Sequence, residues 1–300
     1  MKEKLKEFCK DIGIEAVGIA PPGPYHDLEA ILTQRIGKGY YTGMEEKDLE
    51  KRISPCLTME NVQSVIVCLF PYLTDAVENS NISKYTYSID YHLIIQEKLQ
   101  KIGEFLKGQI KGFEYLAFVD NGPLVDRYLA YMAGLGYFGL NNSIITEKYG
   151  SYVFIGYILN NYLFEFDRPL DKQCAQCEEC LKRCPGNALL GNYQMDPTRC
   201  ASYITQKKED LSKEEIKILK RSGKIFGCDI CQQVCPHNKH AEKTNLKEFG
   251  QDTVYNISKE DVESYSNKGF KKRYGNRAFS WRGKKIILRN LNVINEKNND

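Results

Sequence analysis

The residues with the clearest chemistry are cysteines. They form a run Cys174-x2-Cys177-x2-Cys180-x3-Cys184-Pro185, an isolated Cys200, and a second run Cys228-x2-Cys231-x3-Cys235-Pro236. The first run has the spacing by which bacterial ferredoxins hold [4Fe–4S] clusters. The second keeps the later part of that run, with its first cysteine displaced to Cys200. Thiolates two residues apart wrap one cubane, while the cysteine before proline turns away to ligate the other cluster. That crossing assigns Cys174, Cys177, Cys180 and Cys235 to one cluster and Cys184, Cys200, Cys228 and Cys231 to the other. A structural zinc site uses paired knuckles rather than a triple run ending in Cys-Pro, and disulfides need an oxidising compartment. The chemistry implied is single-electron transfer. The remaining cysteines, Cys9, Cys56 and Cys68, sit in apolar contexts, where buried packing is expected.

Three other groups could act with such a module. Asp120 closes an apolar run and precedes Asn121-Gly122-Pro123; it reads either as a turn or capping carboxylate or as a proton donor at a strand end. Asp90-Tyr91-His92 opens a helical pattern, with Asp90 a possible N-cap and His92 one of only four histidines. Gly134-Leu-Gly136-Tyr-Phe-Gly139 matches G-x-G-x-x-G, but a helical segment precedes it and Leu140-Asn141-Asn142 follows. A dinucleotide site needs a strand before and a helix after, so that reading is rejected; a glycine loop can still admit a flat cofactor near the backbone. From Ser266 to Asp300 ten Lys or Arg face only Glu296 and Asp300. This tail, with Lys271, Lys272, Arg273 and Arg277, suits a phosphate-binding surface or a solvated helix face.

These groups need elements to position them. Lys2–Asp11, Leu28–Ile36, Tyr91–Leu106 and Pro123–Ala133 carry helical patterns, Pro123 at a first-turn position and Gly134 as the stop. Glu15–Ala20, Ser64–Leu69, Tyr115–Val119 and Tyr152–Leu159 read as strands. The alternation predicts an α/β domain over residues 1–165. A ferredoxin-like domain follows over 166–245, then a basic helical segment over 246–300 with a helix start at Ser258 and a helix over Trp281–Val293; the whole is α+β. At 42% hydrophobic, 27% charged and net charge +3, the composition is that of an ordinary soluble protein, and bulk charge says little about partners. The charged N-terminus has no export signal, and the longest apolar stretches fall far short of the ~20 residues of a spanning helix. A cytoplasmic monomer with no membrane attachment is expected.

Several strings occur in a telling order: Tyr87-Ser-Ile-Asp90-Tyr91-His92, Val119-Asp120-Asn-Gly-Pro123-Leu-Val-Asp126-Arg127, Ala133-Gly-Leu-Gly136-Tyr-Phe-Gly139, the cluster cysteines, and Gly227-Cys-Asp-Ile-Cys-Gln-Gln-Val-Cys235-Pro-His-Asn238. Together, from about Gly39 to Asn290, they resemble the epoxyqueuosine reductases. The resemblance implies an N-terminal domain that binds cobalamin, clusters that deliver electrons to it, and reduction of epoxyqueuosine to queuosine at the wobble position of a tRNA anticodon. It implies Asp120 as the proton donor; a carboxyl buried beside a corrin would have a raised pKa. It implies Asp90, Tyr91 and His92 on the corrin site, with Gly134, Gly136, Gly139 and Asn141 in a loop passing close to it. It also implies an external low-potential donor of ferredoxin or flavodoxin type. Leu140 stands where the family commonly has Lys, Ser88 where a glycine-containing stretch is common, and the helical-repeat extension of many members is missing after Asn290. Competing expectations are another corrinoid iron–sulfur reductase, of reductive-dehalogenase type, and a ferredoxin-type electron carrier that would not need Asp120.

Overall fold

The computed structural model describes residues 1–75, 77 and 79–296; Lys297 and Asp300 of the basic tail lie outside them. The first part of the chain forms α1 (Lys2–Asp11), β1 (Ala16–Ala20), α2 (His26–Gly37), α3 (Leu49–Ile53), β2 (Ser64–Pro71), α4 (Tyr91–Gln109), β3 (Tyr115–Val119), α5 (Asp126–Met132), a small hairpin of β4 (Tyr137–Phe138) and β5 (Ile144–Ile145), and β6 (Val153–Asn160). The sheet order is β1-β2-β6-β3, and every neighbouring pair is antiparallel. This differs from the α/β domain expected. The unit β2–α4–β3 does alternate, and its strands run the same way, but β6 inserts between them and opposes both. Sequence alternation marks strands and helices; it does not report a strand inserted later.

Both sheet faces are covered. On one, Leu5 and Cys9 of α1 and Ile95, Leu99 and Ile102 of α4 pack on Ile66, Cys68 and Ile158. On the other, Leu28 and Leu32 of α2, Ile53 of α3 and Leu129 and Ala130 of α5 pack on Val65, Val67 and Leu159. Central β2 is therefore buried at every position, which explains its unbroken apolar run. Each such side chain, fully buried, contributes about 1.5–3 kcal/mol. Cys9 and Cys68 belong to this core, but Cys56 is exposed, contrary to expectation: it lies in the short 3-10 turn Pro55–Leu57, whose Leu57 is exposed too. α5 starts at Asp126, not Pro123, because residues 120–125 turn away from β3 first.

The cysteine segment contains only short elements: α6 (Glu179–Arg183), a hairpin of β7 (Leu189–Gly191) and β8 (Gln194–Met195), α7 (Ala201–Ile204), α8 (Lys213–Ser222) and α9 (Ile230–Gln233). After α10 (Lys247–Gly250) come α11 (Lys259–Ser264), α12 (Asn267–Tyr274) and α13 (Lys284–Asn295). Ser258 caps α11 by accepting from the Asp261 N–H, and Ser266 caps α12 through Gly269. Val262, Phe270, Phe279, Ile287 and Leu291 form a core with Ile82, Tyr87, Ile225 and Phe226. The basic segment thus packs on both earlier parts of the chain.

Candidate active site and cysteine groups

A cavity of about 2260 Å³ opens beside the end of the sheet where β2 and β3 finish. Ordinary small-molecule pockets occupy roughly 300–1,000 Å³. Asp120, the first residue beyond β3, takes a left-handed backbone (φ +58), a conformation uncommon outside glycine and enriched at functional sites. Its side chain is 57% accessible because it faces the open cavity. Its Oδ2 accepts from the Tyr91 hydroxyl at 2.7 Å and lies 3.4 Å from His92 Nε2.

Asp90 caps α4: its Oδ1 accepts from the His92 N–H at 3.0 Å and lies 2.7 Å from His92 Nδ1. His92 therefore bridges two carboxylates. Tyr91 is sandwiched between His92 and Phe154, with ring centroids 4.2 and 4.1 Å away. Asp90, Tyr91, His92 and Asp120 all line the cavity.

Burial opposes charge on His92, but hydrogen bonds with Asp120 and Asp90, and their negative charges, outweigh it and raise its pKa to about 9. Burial likewise pushes the Asp120 carboxyl up, but His92, Tyr91 and the Arg127 charge outweigh it and hold the pKa below the ordinary value. Asp120 is a carboxylate here, and the proton of the pair sits on His92. The carboxyl that burial keeps neutral is Asp126, held well above the ordinary range by burial and by the neighbouring Asp120 charge. Its Oδ1 and the Nδ2 of Asn142 are buried without partners, and both residues line the cavity. Sequence reading named both residues within longer strings but gave neither a role.

The glycine loop lies elsewhere than expected. A Cβ on Gly134 (φ +67) would sit 2.5 Å from the Arg168 carbonyl, one on Gly136 2.6 Å from Ile144 Cγ2, and one on Gly139 2.6 Å from Asn141 Oδ1. These glycines permit close packing inside the protein, and none of them, nor Asn141, lines the large cavity. Tyr137, Phe138 and Asn142 of the same hairpin do. Gly139, Leu140 and Asn141 instead border a small space walled by Cys174, Cys177, Cys180 and Cys235. Leu140 packs with Cys180 and Leu189 against Cys174, Cys184 and Cys231.

The other cysteines form a second group: Cys184, Cys200 and Cys228 lie within electrostatic reach of Cys231. Burial, before mutual repulsion, raises Cys180 to about 11 and Cys228 to about 12. Among the described residues no three Cys, His, Asp or Glu side chains converge closely enough for a single metal ion. That sets no limit on a larger inorganic cluster, which would deprotonate the thiols outright. Cys177 is exposed, whereas Pro197 and Ser202, beside Cys200, line the large cavity.

Of the basic residues, Lys271, Lys272 and Arg273 are exposed on α12. Arg277 is not available to a phosphate. It is 2% exposed, paired with Asp252 at 2.5 Å, and donates to the Tyr87 carbonyl. The turn after α12 points it into the core around Tyr87 and Phe279. Trp281 and Arg282 line the cavity instead, the guanidinium 3.7 Å from the indole centroid.

Cysteine groups of this kind beside a large cavity on a mixed helix–sheet fold define an iron–sulfur oxidoreductase. The family model for a 4Fe-4S double cluster binding domain matches residues 173–238, and the one described as Epoxyqueuosine reductase QueG, DUF1730 matches residues 52–121. The chain is 35% identical to epoxyqueuosine reductase of Bacillus anthracis over 301 residues, covering 97% of this chain and 78% of that protein. With the Bacillus subtilis enzyme it shares 34% identity over 306 residues, covering 97% and 77%. Among solved structures, epoxyqueuosine reductase with an epoxyqueuosine-modified tRNA-Tyr stem loop matches with a TM-score of 0.90 at 32% identity, covering 98% of this chain and 80% of that one. The Streptococcus thermophilus enzyme matches with a TM-score of 0.88 at 31% identity and the same coverage. A catabolic reductive dehalogenase shares the fold alone, with a TM-score of 0.51 at 15% identity over 96% of this chain and 37% of that one. The chain belongs to the epoxyqueuosine reductase family. Among the described residues no helix is long and apolar enough to cross a membrane.

Proposed function

We propose that this chain reduces epoxyqueuosine to queuosine in the anticodon of a tRNA, with two [4Fe–4S] clusters and cobalamin as cofactors. The observation that carries the reading is Asp120, turned into a large cavity in a left-handed conformation and tied to Tyr91 and His92. The residues fit the cofactors. Each cysteine group offers four thiols, and the cavity, walled by Tyr91, Phe154 and Tyr131, is large enough for a macrocycle together with a nucleoside. Unpartnered Asn142 Nδ2 offers it a donor. When bound, the clusters supply electrons singly and cobalamin supplies a strongly reducing cobalt centre.

Converting an epoxide to an alkene and water consumes two electrons and two protons; the chain's own residues hold the first proton, and the second comes from solvent. At neutral pH one proton is stored on His92 Nε2. Substrate entering the cavity excludes water from Asp120, which raises its pKa. The proton then moves to Asp120 Oδ2, where it can meet the departing oxygen. Tyr91, whose hydroxyl burial keeps protonated, orients that carboxyl. Positioned acids of this kind contribute typically about 10²–10⁴-fold.

The same reading divides the chain into a cobalamin-binding domain (1–165), a cluster domain (166–245) and a basic segment (246–300). Exposed Cys177 marks the face open to an external low-potential ferredoxin or flavodoxin, and the Cys200 group lies against the cavity. Lys271, Lys272 and Arg273 offer a surface to tRNA. The protein acts as a cytoplasmic monomer.

The test is anaerobic turnover of tRNA containing epoxyqueuosine with cobalamin and a low-potential reductant, read by mass spectrometry of the digested nucleosides. Queuosine from wild type, and at least about 10²-fold less from Asp120→Ala, is the expected result. No queuosine from protein with intact clusters, beside a working control enzyme, would overturn the assignment.

A further inference from the structure

One wall of the cavity carries three guanidiniums that, among the described residues, form no ion pair. α2, α3 and α5 all pack on the same sheet face, and each sends a guanidinium to this wall: Arg35, Arg52 and Arg127. Among the described residues the side chains of Arg35 and Arg52 make no hydrogen bond or ion pair, although both are half-buried. Arg127 donates only to the Asn142 carbonyl. Other withdrawn arginines have polar partners: Arg277 pairs with Asp252, although its Nε is buried without one, Arg289 donates to the carbonyls of Lys207 and Glu209, and Arg199 to that of Gly186.

The nearest compensating charge is Glu45, with Glu46 behind it. The Glu45 carboxylate is already occupied by the Thr42 N–H and hydroxyl and the Met44 N–H, and Glu46 accepts from the Asp48 N–H. Burial keeps Asp126 neutral, and Asp120, which offsets part of the Arg127 charge, is also bonded to Tyr91 and lies against His92. The guanidiniums also repel one another: Arg127 feels both Arg35 and Arg52, after the larger effect of burial. Arginine does not escape by losing its proton. Half-desolvated like charges facing one space repel, an anion between them relieves that repulsion, and the planar guanidinium fork suits phosphate oxygens.

We propose that Arg35, Arg52 and Arg127 form a phosphodiester-binding site on the α2–α3–α5 wall of the cavity. The proposal rests on the function given above for the identity of its ligand. Two ligands of that reading carry a phosphodiester: the RNA backbone beside the reacting nucleoside, and the nucleotide tail of cobalamin.

The test compares wild type with R35Q/R52Q, both loaded with clusters. Calorimetry or fluorescence measures binding of inorganic phosphate, an anticodon stem-loop, cobalamin, and cobinamide, which lacks the phosphodiester tail. Wild type is expected to bind phosphate and the double variant to lose it, with one large ligand at least about tenfold weaker. A weaker stem-loop with a shallower salt dependence identifies the RNA backbone. Weaker cobalamin with unchanged cobinamide identifies the tail. Should the glutamine variant fail to fold, judged by cluster absorbance and melting, R35K/R52K keeps the charge without the fork and is expected to bind phosphate at least about threefold more weakly. Equal affinities of wild type and the folded variant for phosphate, stem-loop and cobalamin overturn the site. Phosphate bound by wild type and lost in the variant, with neither large ligand bound by wild type, sinks the functional reading and leaves the site standing.

Discussion

The His92–Asp120 pair makes a prediction with a definite sign. His92 titrates at about 9 rather than 6.5, a difference worth at most about 3.4 kcal/mol of preference for its charged form. Its side chain is 30% accessible and that of Asp120 57%, so solvent screens the pair and about 1–2 kcal/mol of stability is the realistic contribution. A histidine whose pKa is raised on folding contributes fully below 6.5 and loses that contribution as pH rises through about 9. Asp120, held low in the folded chain, contributes above the ordinary carboxylate range and loses it as pH falls through its own depressed value. The pair is therefore strongest between those limits. In Asp120→Asn, with Asp90 still in place, the His92 pKa should fall to about 7–8. The assay is an NMR titration of the imidazoles, tractable because the chain has only four histidines, with melting temperature followed against pH in wild type and His92→Gln. Wild-type His92 titrating near 6.5, or staying near 9 in Asp120→Asn, refutes the stored-proton argument.

Other outcomes follow from named contacts. Cys235→Ser should remove the same cluster as Cys174→Ser, and Cys231→Ser the other one, each leaving about half the iron by elemental analysis and a distinct reduced EPR spectrum. Arg277→Ala should destabilise by about 1–3 kcal/mol in chemical denaturation, mainly through lost packing, since the Tyr87 carbonyl keeps the Val254 N–H as a donor. Lys271→Ala or Lys272→Ala should change stability by less than about 0.5 kcal/mol but flatten the salt dependence of tRNA binding by about 0.7 in log–log slope each. Gly136→Ala should cost about 1–3 kcal/mol, because its Cβ would lie 2.6 Å from Ile144 and 2.7 Å from the Ile145 carbonyl; a melting curve checks it.

What the sequence revealed follows how local each signal is. The helix Lys2–Asp11 and the strand Tyr115–Val119 match their sequence patterns residue for residue, since apolar periodicity and Gly or Pro punctuation are local. The insertion of β6 between β2 and β3 was hidden, because nothing within β6 names its neighbours. Lys271 and Arg277 look alike as basic tail residues, yet a turn of backbone separates solvent from core. Likewise Arg35, Arg52 and Arg127 lie far apart in sequence, and only the packing of α2, α3 and α5 brings them to one wall. Asp120 was legible as a candidate from its place after a strand, but its ionisation was not, because that depends on His92 at the start of α4, a whole helix and strand earlier in the chain.

The segment from Ile82 to His92 explains how distant parts act at one place. At its start it bonds to the cysteine module: the Ser83 N–H donates to the Phe226 carbonyl at 2.9 Å, and buried Asp229, beside Cys228, accepts from the Ser83 hydroxyl and the Lys84 N–H. In its middle, Tyr85 packs edge-on against Tyr91 and at a tilt against Phe226, with Asp120 and Cys200 both within electrostatic reach of its hydroxyl. At its end the Asp90 N–H donates to the Asn276 carbonyl of the C-terminal segment at 2.7 Å, and Asp90 then caps the helix that presents His92. One short stretch of backbone thus fixes the proton-holding pair relative to the inner cysteine group and to the basic segment. Loosening it at Asp229 should shift both together, because the same hydrogen bonds hold both in register.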